Sequence, residues 1–456
     1  MPPIDDYLAA NQQRFEQELF ELLRLPSVSA DPEFAPQVRA AAEWVAAQFR
    51  GFEFATEVIE TAGFPLVFAQ SPQVEGRPTA LVYGHYDVQP PDPLEEWKSP
   101  PFEPTIRDGN IYARGATDDK GQMFTHIKSV EAWIKSVGEL PLNIKFLIEG
   151  EEEVGSANLE KFLATHADKL ACDCVVISDT SQYAPGVPAI TYGLRGIIAF
   201  EVTFRGPSQD LHSGSFGGAV TNPANALCRV MATLHDEQHR VTIPTFYDDI
   251  VELTQDERAQ FAALPYDEAD FMRQLGVDGL RGEAGYSSLE QRWTRPTLDI
   301  NGLTSGYQKP GPKTIIPAWA RCKFSCRLVP NQDPAKITAA VKSYFQSRCP
   351  AGIQMEVHAF HGAPGVLVDP ASPYITAAAK AIERGFGNRP VLIREGGSIP
   401  IVTHFQQVLG VDTLLLGWGL NDDNTHSPNE KFNLADFHRG IKASSYLWEE
   451  LGRLEA

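Results

Sequence analysis

The chain has 456 residues, 43% hydrophobic and 21% charged, which exceeds one ordinary core and predicts two or three globular domains. Its formal net charge of −20 excludes nucleic acid and anionic lipid as partners, since both demand a basic face. No apolar run approaches the roughly 18 residues of a membrane helix, the N-terminus lacks a signal-peptide pattern, and the six cysteines (172, 174, 228, 322, 326, 349) form no Cys-x-x-Cys pair, so a reduced, cytoplasmic setting is expected.

Residues 7–27 carry Phe15, Leu19, Leu22 and Leu23 on one helical face, and Pro26 ends the run. A second amphipathic helix is predicted over 36–49, then strands over 57–60, 66–70 and 79–86. Residues 90–110, rich in proline and charge, read as an ordered loop anchored by Trp97 and Phe102. A helix over 123–137, a strand over 143–149, a helix over 158–167 and a strand over 174–178 continue the alternation. That pattern specifies an α/β domain with a mostly parallel sheet.

The character changes near residue 190. A strand at 197–204 precedes an amphipathic helix at 222–235 and an irregular, partly helical stretch at 238–295. Strands at 297–301, 320–328 and 354–360 and a helix at 334–347 follow, which makes an α+β module. The module is inserted, because the strand at 412–417 and the loop holding His426 return to the first sheet. Boundaries are expected near 192 and 366, with 1–191 and 367–456 as one discontinuous domain and 192–366 as the other. Helices at 373–386 and 433–454 close the first.

Acids and histidines stand at the carboxyl ends of four strand-like runs, where open parallel sheets bind ligands. They are His85 with Asp87, Glu149 with Glu151-Glu152-Glu153, Asp179, and His426 in the loop after 412–417. A fifth acidic spot, Asp118-Asp119, lies in a glycine-containing turn before a helix. His85 and Asp87 project to one side of a strand. That suits a metal ligand and the carboxylate that orients its other ring nitrogen, or a plain polar strand end. Asp118-Asp119 is either a helix cap partly neutralised by Lys120 or a carboxylate shared by two cations. The three glutamates repel one another unless cations or protons intervene, or else they open a solvated helix. Two-metal hydrolysis needs one carboxylate as ligand and another as general base, and adjacent glutamates divide those roles. Asp179 is a ligand or a cap, and His426 a ligand or an ordinary loop histidine. Jointly they offer about five oxygen and nitrogen ligands, a set suited to zinc or manganese.

Nine segments running in order over nearly the whole chain carry a resemblance. They are Gly84-His-Tyr-Asp-Val-Gln-Pro90, Tyr112-Ala-Arg-Gly-Ala-Thr-Asp-Asp-Lys-Gly121, Glu149-Gly-Glu-Glu-Glu-Val-Gly-Ser156, Ser178-Asp179, Ile190-Thr-Tyr-Gly-Leu-Arg-Gly196, Asp210-Leu-His-Ser-Gly214, Arg327-Leu-Val-Pro-Asn331, Arg394-Glu-Gly-Gly-Ser-Ile-Pro400 and His426-Ser-Pro-Asn-Glu430. In these the chain resembles the cytosolic nonspecific dipeptidase and carnosine dipeptidase group of co-catalytic di-metal peptidases. Carboxypeptidase G, the aminoacylases and succinyl-diaminopimelate desuccinylase are relatives of that group.

The resemblance implies a homodimeric dipeptidase with two divalent metal ions per subunit, Zn2+ or Mn2+. It implies a catalytic domain carrying the metals and a lid or dimerisation domain at 192–366. Asp118 would bridge the metals, with His85 and Asp179 completing one site and Glu153 and His426 the other. Glu152 would take a proton from the bridging water and return it to the leaving amine, and Asp87 would orient His85. His212 would stabilise the oxyanion, often across a dimer interface. Thr314, Arg327 and Ser398 would contact substrate, with Arg327 suited to a terminal carboxylate. Glu395 would lie near the substrate or a metal ligand, and His361 would line the cleft. Read without the resemblance, Arg327 is a structural ion pair and Ser398 a helix cap. Glu151 stands where relatives often carry an apolar residue, and Gly417-Trp418-Gly419 reshapes the wall beside the last ligand. An N-acyl-amino-acid deacylase or a carboxypeptidase would use the same site. A non-catalytic peptide-binding descendant would lack a ligand or the base, and neither is missing.

Overall fold

Near-continuous apolar runs form the buried middle of a sheet. The structure is a computed structural model describing residues 2–455. In it, Asn143–Glu149, Thr79–His85, Cys174–Ser181 and Asp412–Gly419 lie side by side in that order, all parallel. Every residue of Asn143–Glu149 is buried, as expected of a strand covered on both faces. The helix Lys120–Ser136 is buried along most of its length and packs on three of these strands. Leu434–Leu451 packs against that helix in turn.

The flanks run the other way. Ala55–Ile59 and Leu66–Gln70 form an antiparallel pair beside Asn143–Glu149, and Ala189–Leu194 runs antiparallel to Asp412–Gly419. Connection length explains this. Residues 60–65 and 182–188 are too few for the crossover that a parallel return requires. The sheet is therefore parallel where the candidate ligands end their strands and antiparallel at its margins.

The chain divides into two compact units. One holds the chain up to Tyr192, Val368–Ile393 and the chain from His404; the other holds Gly193–Leu367 and Arg394–Thr403. The second unit is built on an antiparallel sheet in the order Thr297–Ser305, Trp319–Leu328, Gly196–Arg205, Gln354–Ala359. Alternation sorts its faces. Along Trp319–Leu328, Cys322, Phe324 and Cys326 enter a core with Phe200, Val202, Leu227, Val341 and Phe345. Arg321, Lys323, Ser325 and Arg327 occupy the opposite face.

Several elements differ from expectation. The first helix spans Pro2–Leu23, and the 90–110 loop holds the start of a small hairpin, Thr105–Arg107 with Asn110–Tyr112. The stretch 238–295 contains three helices, Gln255–Ala262, Glu268–Leu275 and Ser288–Thr294. Two of them open on full capping boxes, Thr254 with Glu257 and Ser287 with Glu290. Residues 394–403, expected in the first domain, group with the second unit. Arg394 pairs with Glu257 there, and Ser398 is held by Arg327 and by the Arg195 carbonyl. No helix among the described residues is long and apolar enough to cross a membrane.

His126 tests the core of the first unit. It is fully buried on Lys120–Ser136, with Nε2 2.8 Å from Ser178 Oγ and its ring beside Trp418 and Trp448. Burial pushes its pKa down to about 3 from an ordinary 6.5. The unfolded chain therefore gains a proton near pH 6.5 that the folded chain refuses, and stability falls as the pH drops. Between pH 7.5 and 5.5 this amounts to about 1.4 kcal/mol. In urea titrations of metal-free protein, the stability gap between wild type and His126→Gln should narrow by that amount over this window. A constant gap would mean that the folded state accepts the proton.

Candidate metal centre

His85 ends its strand with a side chain that is 0% exposed. The preceding residue must be glycine: a Cβ on Gly84 would lie 2.7 Å from Met123 Cγ and 2.8 Å from Asp119 Oδ2. The ring is oriented from one side. Nδ1 lies 3.1 Å from the Asp87 carbonyl oxygen and 3.4 Å from Asp87 Oδ1. A proton on Nδ1 donates to Asp87 and leaves the Nε2 lone pair free. Nε2 points at Asp118 Oδ1, 3.3 Å away, and Asp179 Oδ2, 4.0 Å away. Asp87 is also fully buried, and its two oxygens accept from the Glu152 and Glu153 amides at 3.3 and 3.1 Å. One carboxylate thus sets both the His85 ring and the glutamate turn.

The Asp118 turn is held by Glu430. Its buried carboxylate accepts from the amides of Gly115, Thr117 and Asp118 at 3.0, 3.0 and 3.1 Å, and from Arg114 Nη1 at 2.8 Å. The Asp118–Asp119 peptide bond is cis. Asp119 turns away from Asp118 to accept from the His85 amide at 3.2 Å. Asp118 faces two histidines, with Oδ1 toward His85 and Oδ2 2.9 Å from His426 Nε2.

Glu152 and Glu153 open a 3-10 turn just after the strand Asn143–Glu149. Glu153 Oε2 accepts from Gln89 Nε2 at 2.8 Å and lies 3.4 Å from His426 Nε2. His426 adopts φ +61° in a loop where Asn424 and Asn429 are also left-handed. Non-glycine residues adopt that conformation at a cost of about 1 kcal/mol or more, and such outliers concentrate at functional sites.

The electrostatics follow from the crowding. Burial and the Asp118 charge push Glu153 up to about 8. Burial, with Asp118 and Asp119, drives Asp179 well above the usual carboxylate range. Burial raises Glu152, aided by Asp87 and Asp118. Asp118 goes the other way: burial opposes its charge, but the two histidines it faces, His426 and His85, hold its carboxyl below the usual range. A hydrogen bond to Asp118, against the effect of burial, lifts His426 to about 9.

These residues fit divalent cations. Ligand atoms of His85, Asp118 and Asp179 lie within 4.8 Å of one another, as do those of Asp118, Glu153 and His426. Asp118 belongs to both sets. The donors are carboxylate oxygens and imidazole nitrogens, and His85 Nε2 is a buried atom without a hydrogen-bond partner. A cation competes for that lone pair and relieves the repulsion that raises the acids. Glu152 lies outside both sets while its backbone is fixed beside them.

The remaining expected residues are in the second unit. His212 is exposed, and its Nδ1 accepts from Gly214 N at 3.0 Å. Thr314 is its neighbour, since the Thr314 carbonyl accepts from Ser213 N and Leu211–His212 pairs with Ile315–Ile316. Arg327 Nη1 donates to Ser398 Oγ at 3.0 Å. Glu395 lies three residues before Ser398, and His361 follows the strand Gln354–Ala359 as an exposed residue.

The sequence reading misses the supports. Glu430 ends the segment His426-Ser-Pro-Asn-Glu430, but nothing local tells that its carboxylate gathers three amides more than 300 positions away. Glu149 was read as part of an acid run. It is buried, accepts from Tyr83 OH at 2.7 Å and Ser156 Oγ at 2.8 Å, and burial raises it to about 8. Its place as the last residue of a mostly apolar strand is the available signal.

Residues 81–450 match the model of peptidase family M20/M25/M40. The chain is 34% identical over 447 residues to the Cys-Gly metallodipeptidase dug1 of Schizosaccharomyces pombe, covering 94% of each chain. It is 33% identical to the Beta-Ala-His dipeptidase of Homo sapiens, covering 97% of this chain and 86% of that one. Among solved structures, the M20 family metallo-carboxypeptidase Sso-CP2 of Sulfolobus solfataricus aligns with a TM-score of 0.85 at 33% identity, over 96% of this chain and 99% of that one.

Asp87→Asn tests the support of this centre. It places an amide N–H group against the Glu152 and Glu153 N–H groups and weakens the anchor of His85. Divalent-cation affinity, measured by competition with a chromophoric chelator, should fall about 10- to 100-fold. Wild-type affinity in the variant would show that Asp87 does not set the ligands.

Proposed function

The chain belongs to peptidase family M20/M25/M40, and we propose that it hydrolyses the peptide bond of dipeptides with two divalent cations per subunit. The observation that carries this reading is Asp118, which lies within ligand reach of both residue sets. His85, Asp118 and Asp179 would hold one cation, and Asp118, Glu153 and His426 the other. Zinc or manganese matches these oxygen and nitrogen donors. Such ions supply an acidified water and a polarised carbonyl.

The chain's own residues do the rest. Glu152 has a carboxyl raised by burial, which suits it to take a proton from the attacking water and pass it to the leaving amine. Asp87 fixes the Glu152 backbone for that task. His212 Nδ1 is an acceptor, so the ring proton sits on Nε2 and is available to a developing oxyanion. Arg327 and Ser398 would receive the substrate's terminal carboxylate, and Thr314, Glu395 and His361 would complete the substrate contacts. The second unit would serve as lid and dimerisation domain, with a second copy of the chain supplying His212. All six cysteines are free, which supports a reduced, cytoplasmic setting.

A carboxypeptidase would use the same residues, and the likeness to Sso-CP2 favours it as the second reading. A panel of Ala-Ala, Cys-Gly, β-Ala-His, a tripeptide and N-acetyl-methionine separates the cases, with zinc or manganese restored after chelation. Cleavage confined to dipeptides is expected. Trimming of the tripeptide moves the reading to carboxypeptidase, and cleavage of N-acetyl-methionine alone moves it to deacylase. Glu152→Ala should keep both cations by elemental analysis while turnover drops by at least about 100-fold. Retained turnover would remove Glu152 from the role of base.

A further inference from the structure

Arg327 sits on the sheet face opposite the second unit's core, in register with Ile197 on the neighbouring strand. Two residues before Ile197 stands Arg195. The two guanidinium groups act on each other, and both are half-buried. Neither makes an ion pair with a carboxylate among the described residues. Their neighbour Arg295 shows the contrast, since it is paired with Glu283 and Glu252. Asp299 attracts both from beyond ion-pair distance and is itself exposed and hydrogen-bonded to Thr297. Burial and the Arg327 charge lower the Arg195 pKa to about 10. Two partly desolvated cations with no carboxylate in ion-pair contact among the described residues are costly, unless a ligand supplies that contact.

The turn 395–398 is assembled around the same residue. Arg195 Nε donates to the Gly396 carbonyl at 3.1 Å, and its Nη1 to the Arg295 carbonyl at 3.4 Å. Its amide faces the carbonyls of Glu395 and Gly397 at 3.3 and 3.1 Å. Its own carbonyl accepts from Ser398 Oγ, the atom that receives Arg327 Nη1. Glycine is required at 396, where a Cβ would lie 2.9 Å from the Arg292 carbonyl oxygen and 2.8 Å from Arg195 Nη2. Arg195 therefore fixes the serine that fixes Arg327, and adds a second positive charge beside it.

We propose that Arg195, with Arg327 and Ser398, forms a two-cation receptor for the free α-carboxylate of the substrate, and that Arg195 sets the preference for substrates ending in one. This rests on the peptide-hydrolase reading above. It assigns Arg195 a specificity role that Arg327 alone does not fill, because a single guanidinium needs no second cation beside it.

The test compares Ala-Ala with its C-terminal amide on wild type, Arg195→Gln and Arg195→Lys, each checked for wild-type melting and cation content. Wild type should prefer the free acid in kcat/KM. Arg195→Gln should lower that preference by about tenfold or more, through KM for the acid, with the amide little changed. Arg195→Lys keeps the charge but loses the planar fork, and should fall in between. An unchanged acid-to-amide ratio in Arg195→Gln overturns the proposal. If Arg195→Gln does not fold, an unchanged ratio in Arg195→Lys overturns it. If wild type cleaves neither of these nor any other substrate of the panel above, the hydrolase reading fails by itself. Calorimetric binding of the two peptides to wild type and variants then decides the receptor, and equal binding of acid and amide by wild type rejects it.

Discussion

Carboxylates gathered at the ends of parallel strands repel one another and resist burial, and the rest of the first unit is arranged around that constraint. Three further buried acids hold the inward-facing ones in place. Asp87 takes the amides of the glutamate turn and one side of His85. Glu430 takes three amides of the Asp118 turn together with Arg114. Glu149 takes a tyrosine and a serine hydroxyl. Backbone amides cannot rotate away as long side chains do, so the geometry of these acids and histidines is set by main chain fixed on a packed sheet. Burial lifts several of these acids above the usual carboxylate range, and the same restraint, by keeping them from relaxing apart, adds their mutual repulsion.

What could be read in advance follows from how local each signal is. His85 ends one apolar strand and Asp179 follows the apolar run of another, and such places are visible as a change of residue type. The central parallel order was legible for the same reason, whereas the antiparallel margins depended on loop lengths that pattern alone underweights. Helix within 238–295 was expected, but its bounds were hidden because the residues are mostly polar, though Thr254-x-x-Glu257 and Ser287-x-x-Glu290 announced two of the starts. Glu430 and Arg195 were not legible as supports, because their partners lie far away in sequence and meet them only after folding. The attachment of 394–403 to the second unit was hidden likewise, since it rests on Arg394 with Glu257 and Ser398 with Arg327.

The two units offer opposite chemistry. One concentrates carboxylates and imidazoles, and the other holds two guanidiniums that make no ion pair with a carboxylate among the described residues. On the dipeptidase reading, this divides the task between the groups that attack the peptide bond and those that recognise the end of the molecule. A chain with a net charge of −20 thus carries, within its second unit, a local pairing of positive charge at Arg195 and Arg327.

The threading of the chain bears on how such a protein can be recombined. The polypeptide leaves the first unit after Tyr192, returns at Val368, leaves again at Arg394 and returns at His404. A gene exchange that replaced only the long middle segment would bring in an Arg327 whose serine partner came from the other parent. Swapping the second unit between relatives therefore requires transferring both pieces together. Lineages that inherit only one should show compensating changes at 195, 327 or 396–398.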